Sequence, residues 1–173
     1  APFPTSDDGM LPTPPAGVRT RAERWGQGAR FTAQVGRDRL EYRVRPEEGC
    51  LHGVTARWNE GPRFRPMADG GLTLEGSGTT PAAGGTIVSS TLRGGCLTVR
   101  WRGKERVVWE ADYQLRGRTL VVEVRCPGGA ATGLALGQVA GLPEPRGIEV
   151  PYLLMGQKPG PWIACAGGLF VSV

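Results

Sequence analysis

Histidine and lysine are scarce in this chain of 173 residues, and long apolar runs are absent. There is one histidine, His52, and there are two lysines, Lys104 and Lys158, beside nineteen arginines. A Ser-His-Asp or Cys-His catalytic site would have to use His52, and no G-x-S-x-G motif accompanies it. No run of about 18 apolar residues occurs, so the sequence predicts no membrane-spanning helix and no membrane partner. We therefore expect no catalytic residue in this chain.

The four cysteines, Cys50, Cys96, Cys126 and Cys165, stand far apart in the sequence. No C-x-x-C pair occurs and no glycine cluster matches a phosphate-binding loop, so we expect no metal site and no cofactor. Two disulfides in an oxidising compartment and four buried free thiols are both consistent with this spacing. Cys96 and Cys126 are predicted to face inward from strands, which favours packing as small apolar side chains.

Glycine and proline are abundant and separate short apolar runs. The chain has 28 Gly and 15 Pro. They follow no fixed period, which excludes collagen, and their placement is typical of a turn-rich β protein. They interrupt every window long enough for a helix. Residues 1–20 show no apolar periodicity and are predicted to form an arm or linker, followed by one domain over 21–173.

Apolar residues begin to alternate with polar ones near residue 29. The alternation continues on both sides of Gly36-Arg37-Asp38, which predicts a β-hairpin turning there. Its apolar positions are Phe31, Ala33, Val35, Leu40, Tyr42 and Val44. A third strand is predicted at about 51–58, which places His52 in a strand, and a loop is predicted at 59–71.

The strongest alternation lies in 95–126 and predicts three antiparallel strands of about nine residues with one buried face. The inward positions are Leu97, Val99, Trp101, Val107, Trp109, Ala111, Tyr113, Leu115, Leu120, Val122, Val124 and Cys126. The opposite face carries the acids Glu110, Asp112 and Glu123 and the bases Arg100, Arg102 and Arg125. Glycosidases need paired carboxylates, but opposite charges on neighbouring strands favour a ladder of ion pairs.

These patterns predict an all-β fold: a large antiparallel β-sandwich with long meander strands and little or no helix. Further apolar segments lie at 132–139, 147–155 and 161–173. The last of them reaches Val173 without a polar tail. We therefore expect the chain to be one truncated module of a larger protein.

The formal net charge is +5, and arginine supplies nearly all of the basic residues. Nucleic-acid binding requires basic residues on one face with aromatic residues between them. In the sequence the arginines are spread from Arg19 to Arg146, and many have acidic neighbours. We therefore expect no nucleic-acid partner.

Two of the five tryptophans are candidates for contact with a ligand or partner. Trp101 and Trp109 occupy inward positions of the alternation, so they are predicted to be core residues. Trp25 and Trp162 lie among glycines and prolines, where an aromatic ring can stack on a sugar or dock on another domain. The sequence therefore indicates Trp25 and Trp162 as carbohydrate or partner contacts.

The C-terminal half carries a resemblance in YQLRGRTLVVEVRCPGG (113–129), ATGLALG (131–137), GLPEP (141–145) and VPYL (150–153). It resembles the N-terminal β-sandwich that precedes a TIM barrel in some large bacterial glycoside-hydrolase-like proteins, similar to the galactose mutarotase supersandwich. The resemblance covers 95–173 well and 25–94 weakly. It implies a domain that packs on a catalytic barrel of the same polypeptide and helps to shape a sugar cleft. True mutarotases use catalytic His and Glu residues, and a chain with His52 alone departs from that pattern.

Three functional hypotheses follow. The first is a non-catalytic accessory domain of a secreted carbohydrate-active protein, extracellular or periplasmic, with an apolar patch near Trp25 or Trp162. The second is a free-standing carbohydrate-binding module. The third is a small sugar-modifying enzyme that uses His52 with a carboxylate from Glu110, Asp112 or Glu123.

Overall fold

The computed structural model describes residues 16–75, 85–103 and 106–142, together with the backbone of 145–147, 153–156 and 163–165. These residues form antiparallel sheets in a sandwich-like arrangement, which confirms the predicted all-β class. A 3-10 turn, Pro46–Glu48, is one of the short helical segments among them. The strands are β1 Arg19–Trp25, β2 Gly28–Val35, β3 Asp38–Val44, β4 Val54–Trp58, β5 Arg65–Ala68, β6 Gly71–Leu74, β7 Thr86–Arg93, β8 Cys96–Arg102, β9 Val108–Arg116, β10 Thr119–Arg125, β11 Ala131–Ala135, β12 Gln138–Ala140, β13 Pro145–Gly147, β14 Leu153–Gly156 and β15 Ile163–Cys165.

Two four-stranded sheets make up most of the described fold. The first sheet has the order β1-β2-β3-β4 and the second has the order β10-β9-β8-β7. Smaller sheets pair β6 with β11, β5 with β12, and β13 with β14 and β15. Four tight hairpins join consecutive strands, and each two-residue turn begins with a glycine at positive φ, a conformation that glycine adopts without strain. These glycines are Gly26, Gly36, Gly94 and Gly117.

The inner faces of the two sheets meet in one apolar core. The first sheet contributes Phe31, Val44 and Val54, all fully buried, and the second contributes Leu97, Val99, Trp101, Trp109, Ala111 and Tyr113. The rings of Trp101 and Trp109 are stacked, with centroids 6.3 Å apart. Burial of a large apolar side chain of this kind contributes about 1.5–3 kcal/mol. Both predicted core tryptophans and the predicted 95–126 meander are confirmed.

The second sheet holds the segment that links β3 to β4. Trp101 Nε1 donates a hydrogen bond of 3.0 Å to the carbonyl of Pro46, and the Tyr113 hydroxyl donates one of 2.6 Å to the carbonyl of Cys50. The ends of the linking segment close on each other, because the Arg45 amide donates to the Gly53 carbonyl at 2.9 Å. A Cβ at Gly53 would lie 2.0 Å from the Arg45 oxygen, so glycine is required there.

The predicted loop at 59–71 is wrong in its centre. Phe64 pairs with Ala56 through two backbone hydrogen bonds, and β5 follows directly after it. The prediction missed this segment because strand alternation in a four-residue strand is a weak signal, and its other partner, β12, lies about 70 residues later in the sequence.

Two further predictions about single positions are wrong, and one boundary differs. His52 lies in the turn before β4, because the chain must reverse between the 3-10 turn and that strand. Cys96 begins β8 on the face opposite to Leu97, since successive side chains of a strand alternate. β1 begins at Arg19, inside the predicted 1–20 arm, while residues 1–15 lie outside the described part.

Candidate binding face

The outer face of the first sheet carries a continuous group of arginines. Every second residue of β1–β4 turns away from the core, and the strand registers bring these side chains next to one another. We call this surface the arginine face. It comprises Arg21, Arg30, Arg39, Arg43, Arg45, Arg57, Arg63 and Arg65, with the glutamates Glu23, Glu41, Glu48 and Glu60 that pair with them.

Glu41, in the middle of β3, is the centre of the arginine face. Its side chain is only 3% exposed although it points away from the core. Four guanidinium groups surround its carboxylate: Arg43 at 2.9 Å, Arg39 at 3.3 Å, Arg57 at 4.0 Å and Arg63 in a short hydrogen bond. Burial acts to raise the pKa of Glu41, but the hydrogen bond from Arg63 and the charges of Arg43, Arg63 and Arg57 outweigh it, so its pKa lies below the usual value.

One carboxylate cannot satisfy four guanidinium groups, each of which has five N–H donors. The consequence is visible at Arg57, where the Nε atom is buried and has no hydrogen-bond partner among the described residues. Arg65 Nε is in the same condition. The arginine face therefore holds more hydrogen-bond donors than its own glutamates can use.

Trp25 lies within the arginine face, at the end of β1. The guanidinium carbons of Arg43 and Arg45 lie over its ring, 4.9 and 5.2 Å from the centroid, within the range of a cation–π interaction. Trp25 is half-buried. The tryptophan that the sequence singled out thus stands beside positive charge rather than in an apolar patch. Trp162 lies outside the described residues.

A second carboxylate, Glu48, continues the network beyond Trp25. Arg45 and Arg65 each donate to one of its oxygens at 2.7 Å. Burial acts to raise the pKa of Glu48, but these two hydrogen bonds and the two positive charges lower it overall. Arg45 therefore contacts both the ring of Trp25 and Glu48, so the two halves of the arginine face are joined through it.

Arg63 and Arg65 reach the arginine face because Phe64 between them points into the core. Phe64 is 5% exposed, and its backbone pairing with Ala56 sets it beside β4. The residues on either side must then turn outward. Arg63 donates to Thr55 Oγ1 at 3.3 Å as well as to Glu41.

The arginine face has a surplus of positive charge. Eight guanidinium groups against four carboxylates leave four positive charges without a counter-charge. A sheet face with an excess of positive charge creates a positive potential that attracts anions.

The outer face of the second sheet has a smaller surplus of positive charge, because the registers place Arg93, Arg100, Arg102, Arg116 and Arg125 on the same face as Glu110, Asp112 and Glu123. Arg125 pairs with Glu123 at 2.5 Å and with Glu110 at 3.0 Å, and it makes a short hydrogen bond to Asp112. The expected ion pairs between neighbouring strands are thus present at Arg125, and none is found for Arg100 or Arg102 among the described residues. A shallow depression on this face is lined by Arg100, Val108, Glu110, Arg125, Cys126 and Pro127.

His52 does not join those carboxylates. Its Nδ1 accepts a hydrogen bond of 2.8 Å from the Asp69 amide, and its own amide donates to the Gly70 carbonyl at 3.1 Å. The nearby carboxylate is that of Asp69, with Oδ1 at 3.6 Å from Nδ1. The described lining of the depression on the second sheet does not include His52. These bonds connect the turn before β4 to the turn between β5 and β6.

Of the four cysteines, Cys50, Cys96 and Cys126 are free thiols. Cys50 is buried, and burial raises the pKa of its thiol. The Cys165 side chain lies outside the described part. Within that part we find neither a group of three metal-ligating side chains nor a helix long and apolar enough to cross a membrane.

Sequence reasoning listed the arginines as dispersed and missed the arginine face. The signal was present in the outward half of the hairpin pattern, where Glu41, Arg43 and Arg45 alternate with Leu40, Tyr42 and Val44. Arg63 and Arg65 gave no such signal, because their placement depends on a pairing between β4 and a segment predicted as loop.

The comparisons with known proteins add no further assignment: the chain matches no protein-family model, no curated protein and no solved structure.

Proposed function

We propose that this chain is a non-catalytic accessory β-sandwich domain of a carbohydrate-active protein, which packs on a catalytic domain of the same polypeptide and contacts glycan. The observation that supports this role is the arginine face. It is a rigid sheet surface outside the core, with Trp25 and paired guanidinium groups already in position. Preorganised surfaces of this kind lose little side-chain freedom on binding.

The non-catalytic part of the proposal rests on the surroundings of His52. Its Nδ1 is occupied by a backbone amide, and its nearest carboxylate, on Asp69, is 71% exposed. A general base needs a pocket and an orienting partner, and Asp69 also accepts a hydrogen bond from Gln138 at 3.3 Å. The arrangement is that of a structural contact between turns.

A binding and turnover assay on the purified 173-residue chain tests this proposal. We expect retention by at least one polysaccharide in affinity electrophoresis, and no release of p-nitrophenol from a panel of p-nitrophenyl glycosides. Turnover that disappears in His52→Ala would establish the sugar-modifying enzyme and overturn the proposal. Absence of retention by every neutral and acidic polysaccharide would overturn the glycan contact.

The free-standing carbohydrate-binding module uses the same face and differs only in the partner domain. Hydrogen exchange distinguishes the two hypotheses. If the domain packs on a neighbour, some sheet amides exchange more slowly in the parent polypeptide than in the 173-residue chain. Equal exchange in both would favour the free-standing module.

A further inference from the structure

We propose that the arginine face binds an acidic polysaccharide, whose carboxylate or sulfate groups pair with the guanidinium groups around Glu41, Trp25 and Glu48. This inference deepens the proposed function and rests on it, since it names the chemical class of the glycan.

The first argument is the charge that the face leaves unpaired. Arg21 is 76% exposed, Arg39 44% and Arg45 41%, so guanidinium donors remain accessible beyond those used by Glu23, Glu41 and Glu48. A guanidinium group offers planar pairs of donors that match the two oxygens of a carboxylate or sulfate. The surplus of four positive charges therefore favours an anionic ligand.

The second argument is that the arginines are held in place without a ligand. Glu41 fixes the group on β3 and β4, the ring of Trp25 lies against Arg43 and Arg45, and Glu48 joins Arg45 to Arg65. Long side chains usually lose about 0.5–1.5 kcal/mol each when a ligand immobilises them. Here the internal ion pairs have already restricted them.

The third argument is the regular spacing of the arginine side chains on the sheet. Outward positions recur about every 6.6 Å along a strand, and neighbouring strands lie about 4.8 Å apart. Arg43 is an outward residue of β3 and Arg45 follows directly after the strand, while Arg30 faces Arg43 from β2. A flat array of this kind fits an extended polymer with regularly repeated anions better than a single small anion.

Nucleic acid fits the same face less well. Single-stranded nucleic acid is bound by basic grooves together with aromatic rings on which bases stack. Trp25 is the aromatic residue placed on the described arginine face, and guanidinium groups lie over its ring. Groove readout of a duplex uses an inserted helix or β-ribbon, whereas this surface is the face of a sheet.

Binding of the 173-residue chain to polygalacturonate, measured by isothermal titration calorimetry, tests the inference. The test variant is Arg43→Gln with Arg45→Gln, and the matched control is Arg100→Gln with Arg102→Gln. Both doubles remove two charges from residues two positions apart, but the control pair lies on the outer face of the second sheet. We expect the test variant to bind at least about tenfold more weakly at about 0.15 M salt and the control to change less than about threefold, because charges farther apart than the Debye length of about 8 Å are then largely screened.

Two checks keep the result interpretable. Denaturation midpoints show whether each variant folds, and Arg21→Gln with Arg39→Gln, which changes two more exposed residues of the face, replaces the test variant if it does not. Equal weakening in test and control variants would overturn the inference, because net charge alone would then explain binding.

Two comparison ligands separate this inference from the proposed function. Binding of neutral dextran as strongly as polygalacturonate would overturn the acidic class but leave the glycan-binding role. A single-stranded DNA oligomer that binds more tightly than polygalacturonate, and is not displaced by it, would overturn both. Displacement of weakly bound DNA by polygalacturonate would support the inference.

Discussion

The centres of the two outer sheet faces are opposites in composition. Glu41 is one carboxylate among four guanidinium groups, and Arg125 is one guanidinium group among three carboxylates. They differ also in burial, since the Glu41 side chain is 3% exposed and that of Arg125 is 43% exposed. The comparison separates two uses of ion pairs. The first holds a larger surplus of positive charge around a buried carboxylate, and the second joins three carboxylates to one exposed guanidinium group.

Replacement of Glu41, the buried centre of the arginine face, should lower the free energy of unfolding more than any other change considered. Glu41→Gln leaves four arginines close together without the carboxylate that joins them, and loss of one partner from a buried ion-pair network costs roughly 2–4 kcal/mol. Urea denaturation at pH 7 measures the change. Glu60→Gln is the matched control, because Glu60 is 88% exposed and lies 3.7 Å from Arg57. If Glu60→Gln lowered the free energy of unfolding as much as Glu41→Gln, the burial of Glu41 would be unimportant.

Acid should remove part of the same stabilisation reversibly. The pKa of Glu41 is lower in the folded state than its ordinary value of 4.5. Its contribution is therefore complete above about pH 4.5 and is lost as the pH falls through the folded-state pKa. We expect the free energy of unfolding to fall less steeply below pH 4.5 in Glu41→Gln than in the unaltered chain. Urea denaturation at a series of pH values measures this. If the free energy of unfolding fell equally with pH in both chains, Glu41 would not be the group responsible.

The ring of Trp25 should make the next largest contribution to the free energy of unfolding. Trp25→Leu removes the cation–π contacts with Arg43 and Arg45, and we expect a loss of about 1 kcal/mol. Trp25→Phe keeps an aromatic face and should lose less. Urea denaturation of both variants measures the difference, and equal losses would mean that apolar contact alone explains the role of Trp25.

Replacement of Arg125, the exposed centre of the second sheet's outer face, should change the free energy of unfolding least. Arg125→Gln frees three carboxylates on a solvated face, where an ion pair contributes about 0–1 kcal/mol. The hydrogen bonds to Asp112 and Glu110 raise the pKa of Arg125, so Arg125 stays charged. Its contribution to stability should therefore vary with pH only as the three acids ionise. Arg63→Gln, which affects the buried Glu41, is the comparison and should destabilise more. The opposite order in urea denaturation would contradict the distinction between the two centres.

Local alternation made the strands and core of the second sheet predictable. Leu97, Val99 and Trp101 alternate with polar residues, and short turns decide which strands pair. The arginine face was not predictable in the same way. It depends on the register between β3 and β4, across the linking segment 45–53, and on the pairing of Phe64 with Ala56. The first pairing crosses a segment without strand alternation, and the second involves an isolated bridge too short to show any alternation.

The hydrogen bonds from Trp101 and Tyr113 to the carbonyls of Pro46 and Cys50 have a consequence for cooperativity. A surface connection between two strands ordinarily opens without the rest of the domain, and its amides exchange with solvent early. Here the connection from Arg45 to Gly53 is attached to the most deeply buried side chains of the opposite sheet. Its protected amides should therefore exchange together with those of β8 and β9, only when the whole sandwich unfolds.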